Sequence, residues 1–391
     1  MSKKSNQKST NQAPGAEAAV VSTKNSVRAG NGSAAPAFDP NAAAPPGAGI
    51  FGLACERASS RVVITPVQFD ATTSYGGGAS AGPGAVFEAS MQVDLLDHQF
   101  GDVWKHGIFM AEANGKIAKL SRKARALAEP IIEAGGIDAT EGKAGKRLRK
   151  ALTKVNAASA TVNEHVYERT RDVLKEGKLP GLLGGDHSTP LGAIRACAEH
   201  LSASKGGKGE GLGILHVDAH MDLRDAFEGF TYSHASVMFN VLRECKGVSK
   251  IVQVGIRDYC AAEKQVVQAS KGRVSVFYDQ DIADEINGGG NFLSIARRAV
   301  ESLPANVYVS FDIDALEPSL CPHTGTPVPG GLAFAQAALL LKVLSDSGRR
   351  VVGFDLVEVC PSPRRDDPPI DESVGARVLY KLCGAACAAG A

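Results

Sequence analysis

The chain has 391 residues, 43 of them basic and 42 acidic, for a net charge of +1; 44% are apolar and 22% charged. These are ordinary globular proportions, with no electrostatic footprint for nucleic acid or for an anionic membrane surface. No apolar run reaches the ~18 residues that span a bilayer, and the first 25 residues are polar and lack the apolar stretch of an export signal. A cytoplasmic protein is therefore expected, one with no nucleic-acid or membrane partner.

Residues 1–46 differ from the rest. They are rich in Ala, Ser, Asn, Gly and Pro and end in Ala43-Ala44-Pro45-Pro46. Such a segment buries too little apolar surface to offset its ordering entropy, so a disordered extension is expected. From about residue 50, short β-branched runs alternate with longer helical stretches. The strand candidates are Arg61–Val67, Gly181–Gly184, Leu212–Asp218, Lys250–Gly255, Val274–Tyr278, Val307–Asp312 and Val351–Leu356. Most are continuous apolar runs, as in strands buried on both faces of a parallel sheet. Between them, Leu148, Leu152, Val155, Ala158, Val162 and Val166 recur at helical spacing, with Val173 on the same face. Residues 100–145 show no clear pattern. With no repeat and no second linker, residues 47–391 read as one catalytic domain, a sheet with helices on both faces. The eight cysteines are scattered without a C-x-x-C pair and read as reduced thiols. Cys383 and Cys387, one helical turn apart, fit core or surface thiols, or a metal clip.

Three clusters of acids and histidines fall at the carboxyl ends of expected strands, where open α/β sheets place their ligands. They are Gly184-Gly185-Asp186-His187-Ser188, then His216-Val217-Asp218-Ala219-His220-Met221-Asp222, then Ser310-Phe311-Asp312-Ile313-Asp314. In extended chain alternate residues share a face, so Asp218, His220 and Asp222 point one way, as do Asp312 and Asp314. A lone D-x-H commonly just ends a solvated strand, and His216 reads as a satisfied core residue outside the site. Pooled with His187, however, the clusters give four carboxylates and two imidazoles at one sheet edge. Carboxylates this close repel unless cations intervene, and an oxygen-rich set with two histidines suits Mn²⁺ or a related ion.

These motifs, with Ser310–Pro318 (S-F-D-I-D-x-L-x-P) and Thr324–Leu332 (T-G-T-P-x-x-G-G-L), resemble the ureohydrolases, the family of arginases and agmatinases. The resemblance runs from about Val62 to Val378. It implies a three-layer αβα sandwich around an eight-stranded parallel sheet, two Mn²⁺ per subunit (with Ni²⁺ or Co²⁺ as alternatives) and a homotrimer or homohexamer. Position by position, His187, Asp218, Asp222 and Asp312 would hold one ion, and His220, Asp218, Asp312 and Asp314 the other. The chemistry implied is hydrolysis of a guanidino group to urea and an amine, for which two cations ~3.5–4 Å apart activate water at neutral pH. His234 matches the proton-shuttling histidine, work that suits an imidazole. Glu358 matches the guanidinium-binding glutamate, which pairs with the planar cation through two parallel hydrogen bonds. Thr326 matches a substrate-contacting threonine.

Substrate class follows from departures within the resemblance. Arginases carry Asn two residues beyond the last Asp of the D-A-H-x-D motif, where this chain has Arg224. They also carry Asp two residues after a G-x-R-D run, where this chain has Cys260. The run Asp222–Phe230 and the early Phe69–Tyr75 resemble agmatinases instead. The expected reaction is agmatine to putrescine and urea, with Asp225 or Glu228 facing the amine of the substrate. Aminopropylagmatine, guanidinobutyrate, guanidine and arginine are the alternatives within the family, and a non-catalytic polyamine-binding protein is the alternative outside it.

Overall fold

The computed structural model describes residues 38–137, 142–203, 211–364 and 366–388. Most of the extension expected to be disordered, residues 1–37, lies outside the described residues. Pro40–Ala391 forms one compact unit, in which the Pro45 carbonyl accepts a hydrogen bond from Ala48 N at 3.1 Å.

Its centre is a sheet of eight strands: β1 (Val62–Pro66), β2 (Ile108–Met110), β3 (Leu179–Leu183), β4 (Leu212–Val217), β5 (Val248–Ile256), β6 (Val274–Tyr278), β7 (Asn306–Asp312) and β8 (Arg350–Val357). They run in the order β2-β1-β3-β8-β7-β4-β5-β6, and every pair is parallel. The seven strands read from the sequence are all present. The eighth, β2, lies in the region without a clear pattern, together with the helix Gly115–Ile132.

The apolar runs become two cores because successive side chains leave a strand on opposite faces. Leu215 and Val217 of β4 join Val307, Val309 and Phe311 of β7 on one face, under the helices Phe292–Glu301, Phe334–Asp346 and Ile370–Ala388. Leu212 and Ile214 of β4 join Tyr308 of β7 on the other, under the helices Gly142–Lys175, Leu191–Ala203 and Val237–Glu244. This is the three-layer sandwich. The helix expected around Leu148–Val166 extends over Gly142–Lys175 and buries Val155, Ala158, Val162, Val166 and Val173. Cys383 and Cys387 are buried in the helix Ile370–Ala388, and all eight cysteines are free, so this pair is core rather than a metal clip. Among the described residues no helix is long and apolar enough to cross a membrane.

Candidate metal centre

Four adjacent strands, β3, β8, β7 and β4, carry the site at their carboxyl ends. After β3 the chain turns through Gly184 and Gly185. A Cβ at Gly185 would lie 2.0 Å from the Phe69 carbonyl oxygen, so only glycine lets the two backbones approach there. This approach delivers His187 to the sheet edge. His187 Nδ1 lies 2.9 Å from Asp218 Oδ2, 3.1 Å from Asp222 Oδ2 and 3.1 Å from Asp312 Oδ2. Beside it, His220 Nδ1 lies 3.0 Å from Asp314 Oδ2 and 3.5 Å from Asp218 Oδ1. The six residues singled out from the sequence therefore form two adjoining groups, and Asp218 offers one oxygen to each. His216, read from the sequence as core, is fully buried but belongs to this neighbourhood, with Nε2 2.8 Å from Asp218 Oδ2.

The chemistry of these atoms fits cations. One ligand atom each from His187, His216, Asp218 and Asp222 lies within 4.8 Å of the others, as do atoms of Asp218, His220 and Asp314. His187 Nδ1, His216 Nε2, Asp218 Oδ2 and Asp222 Oδ2 are buried and make no hydrogen bond despite their proximity. Leaving a buried polar group unpaired costs ~1–3 kcal/mol, more if charged; a cation among them removes that cost. Protonation marks the same crowding. Burial, then the charge of Asp218, pushes Asp222 up to about 6. Burial, then Asp314 and Asp218, raises Asp312 well above the carboxylate range. Burial alone would depress the imidazoles, but Asp218, Asp222 and Asp312 hold His187 well above its usual value, and Asp314 and Asp218 hold His220 at about 12.

A relay behind His187 fixes which nitrogen faces the carboxylates. Ser310 Oγ donates to Asp355 Oδ1 (3.1 Å) and lies 3.0 Å from His187 Nε2. The hydroxyl's single hydrogen is taken by Asp355, so Ser310 accepts from His187 Nε2–H, and the neutral imidazole that a bound cation would select turns its Nδ1 lone pair to the site. Neither Asp355 nor this use of Ser310 was legible beforehand, because a buried aspartate inside a strand carries no local signal.

Glu358 follows β8 with a left-handed φ of 60°. Its Oε1 accepts from His187 N at 2.9 Å, while Oε2 is buried without a hydrogen bond. Burial, then the charges of Asp312 and Asp186, raises its carboxyl well above the usual range. Gly325 faces it: a Cβ there would stand 3.5 Å from Glu358 Oε2. Thr324 Oγ1 donates to the Glu358 carbonyl (2.9 Å) and Thr326 Oγ1 to Asp314 Oδ2 (3.4 Å). His234 is half-buried at the start of a short helix, with Nδ1 3.3 Å from Ser233 Oγ and its ring edge-on to Phe227 at 6.1 Å. Burial, then positive charge on His220 and His187, lowers its imidazole to about 3.

The residues at the arginase-type recognition positions are otherwise engaged. The fully buried Glu263 accepts from Leu223 N (3.1 Å) and Cys260 N (2.9 Å), tying the two loops together. Arg224 Nε lies 3.7 Å from the same carboxylate and its guanidinium covers the Phe227 ring at 4.8 Å. Asp225 is exposed and 3.6 Å from Arg243. Glu228, at a φ of 54°, has a buried Oε2 with no hydrogen bond.

A family model described as Arginase family matches residues 60–384. The N(1)-aminopropylagmatine ureohydrolase of Thermus thermophilus is 32% identical over 327 residues, covering 83% of this chain and 90% of its own. The agmatinase of Neisseria meningitidis is 30% identical over 321 residues, covering 82% and 85%. Among solved structures, the proclavaminate amidino hydrolase from Streptomyces clavuligerus superposes with a TM-score of 0.63 at 26% identity, covering 85% of this chain and 93% of that one. With this fold and this site, the chain belongs to the arginase family.

Proposed function

We propose that this ureohydrolase hydrolyses agmatine to putrescine and urea, using two Mn²⁺ ions held by His187, Asp218, Asp222 and Asp312 and by His220, Asp218, Asp312 and Asp314. The observation that carries the reading is Glu358: a buried carboxylate at the edge of the acid cluster, with one oxygen unsatisfied and glycine opposite. A guanidinium laid against it gains charge-assisted hydrogen bonds and relieves a buried group short of positive charge.

When bound by these residues, a pair of divalent cations would supply activated water and neutralise the developing charge. The protein's own groups do the rest. Glu358 orients the guanidinium against the acid cluster, and Thr326 closes the substrate slot from the T-G-T-P loop. His234 relays a proton to the departing amine. For the far end of the substrate, Glu228 offers the unsatisfied carboxylate oxygen that suits an ammonium group. Asp225 is occupied by Arg243 in the solvent. An α-amino acid finds no such match, because Arg224 is turned onto Phe227 and Glu263, and Cys260 offers no carboxylate.

Each unmet polar group costs ~1–3 kcal/mol, so two should favour agmatine over arginine by at least about a hundredfold in kcat/KM. Urea release from the Mn²⁺-loaded enzyme on agmatine, aminopropylagmatine, guanidinobutyrate, guanidine and arginine tests this. Comparable rates on arginine overturn the agmatine reading, preference for guanidinobutyrate assigns Arg224 to a carboxylate, and no urea from any substrate overturns the enzymatic one.

A further inference from the structure

His216 poses a question that distance alone does not answer, since its Nε2 stands as close to Asp218 Oδ2 (2.8 Å) as His187 Nδ1 does (2.9 Å). The two rings lie tilted against each other with centroids 5.1 Å apart. Either ring could lend a lone pair to a cation at that oxygen. The nitrogen on the far side of each ring separates them.

On the neighbouring strand β5, Gln253 places its amide nitrogen 2.7 Å from the Met221 carbonyl oxygen and 2.9 Å from His216 Nδ1. A carbonyl oxygen only accepts, so Gln253 must face it with its NH₂ group. The second hydrogen of that group points to His216 Nδ1, which is therefore the bare, accepting nitrogen. A neutral imidazole with Nδ1 bare carries its proton on Nε2, here 2.8 Å from Asp218 Oδ2 but out of hydrogen-bond alignment with it. His187 is arranged in the opposite sense, with its Nε2–H donated to Ser310 and its Nδ1 lone pair facing the acids. Two histidines thus meet one carboxylate in opposite tautomers, and only His187 has a lone pair to give.

We infer that His216 is a positioning residue and not a metal ligand: its Nε2–H, set by Gln253, presents a partial positive charge 2.8 Å from Asp218 Oδ2 and steadies that carboxylate, without a hydrogen bond, in the setting from which it serves both cation positions. The inference rests on the reading that the acid cluster holds divalent cations. It adds a pair, His216 and Gln253, whose action reaches the site through Asp218 alone.

The test is Mn²⁺ titration of the metal-stripped full-length protein by calorimetry, with four proteins compared. In His216→Gln the amide nitrogen takes the place of Nε2 and keeps the donor. In His216→Phe the ring volume stays and the donor goes. In Gln253→Leu the tautomer loses its control. Groups that orient metal ligands are typically worth about 10–100-fold in affinity, so His216→Phe should bind about that much more weakly, and His216→Gln within about threefold of the wild type. Gln253→Leu should weaken binding in the same direction as His216→Phe. A ligand role would make His216→Gln as defective as His216→Phe, and a purely packing role would leave His216→Phe binding like the wild type; either result overturns the inference. Should His216→Phe not fold, unchanged affinity in Gln253→Leu overturns it equally. A wild-type protein that binds no divalent cation removes the metal reading itself, and the inference with it.

Discussion

Glu358 and Asp222 hold φ angles of 60° and 53°, a region in which a side chain crowds its own carbonyl at a cost of roughly 1–2 kcal/mol. At Glu358 the surroundings fix the conformation. Its N–H donates to the Gly185 carbonyl (2.8 Å), its carbonyl accepts from Thr324 Oγ1 (2.9 Å), and Oε1 accepts from His187 N (2.9 Å). The strain aims the second oxygen toward Gly325. Glu358→Gln retains the Oε1 acceptor and the fold but removes the charge. It should lower kcat/KM for the preferred guanidino substrate by ~10²–10³, the worth of one or two charge-assisted hydrogen bonds, and leave bound Mn²⁺ unchanged. Steady-state kinetics with metal analysis checks both halves, and wild-type turnover in this variant would exclude Glu358 from guanidinium binding.

The loop carrying Thr324, Gly325 and Thr326 depends on the helix behind it. Asp371, fully buried in the first turn of Ile370–Ala388, accepts from His323 N (3.0 Å) through Oδ1 and meets His323 Nδ1 (2.8 Å) through Oδ2. One carboxylate thus grips both the backbone and the ring of the residue before Thr324. Asp371→Ala leaves those donors unsatisfied at ~1–3 kcal/mol, which for a domain of this size corresponds to a Tm lower by ~2–10 °C. Release of the loop should raise KM alongside. Thermal melting and kinetics check this, and an unchanged Tm would mean that the loop is held elsewhere. This clamp was not legible in the sequence, because Asp371 reads as an ordinary charge in a helical first turn. The same holds for β2, three residues at the sheet edge, too short for any periodicity to register. The helix Gly115–Ile132 buries Ile117, Ser121, Ala124, Ala128 and Ile131 on its inner face, so small and polar residues interrupt its apolar stripe. By contrast, strands buried on both faces had to be apolar throughout, and ligands had to follow them, which is why β3, β4 and β7 and their clusters stood out. His216 reads as a core residue and is buried, but its partner Gln253 is 37 residues away, so no local pattern ties it to the site.

At the scale of the whole molecule, the strands bearing the centre are neighbours in space, yet His187 and the Glu358 carboxylate that meets it are separated by 171 residues. β8 lies between β3 and β7, so the last strand among the described residues is inserted into the middle of the sheet. Long closures of this kind are entropically costly before their contacts repay them, and they make folding slow. The centre cannot exist until β8 is seated, so a cation cannot act as a seed for folding. Mn²⁺ should leave the refolding rate of denatured protein unchanged and slow unfolding instead, by roughly a hundredfold when present at a hundred times its Kd. Stopped-flow refolding and unfolding with and without Mn²⁺ checks this; faster refolding with the ion would show the centre forming early. A central last strand also has a consequence for the protein's life in a cell. In every nascent chain β8 must leave the ribosome before the acids gain their counter-charge, and metal supply then governs how long finished molecules survive rather than how quickly new ones arise.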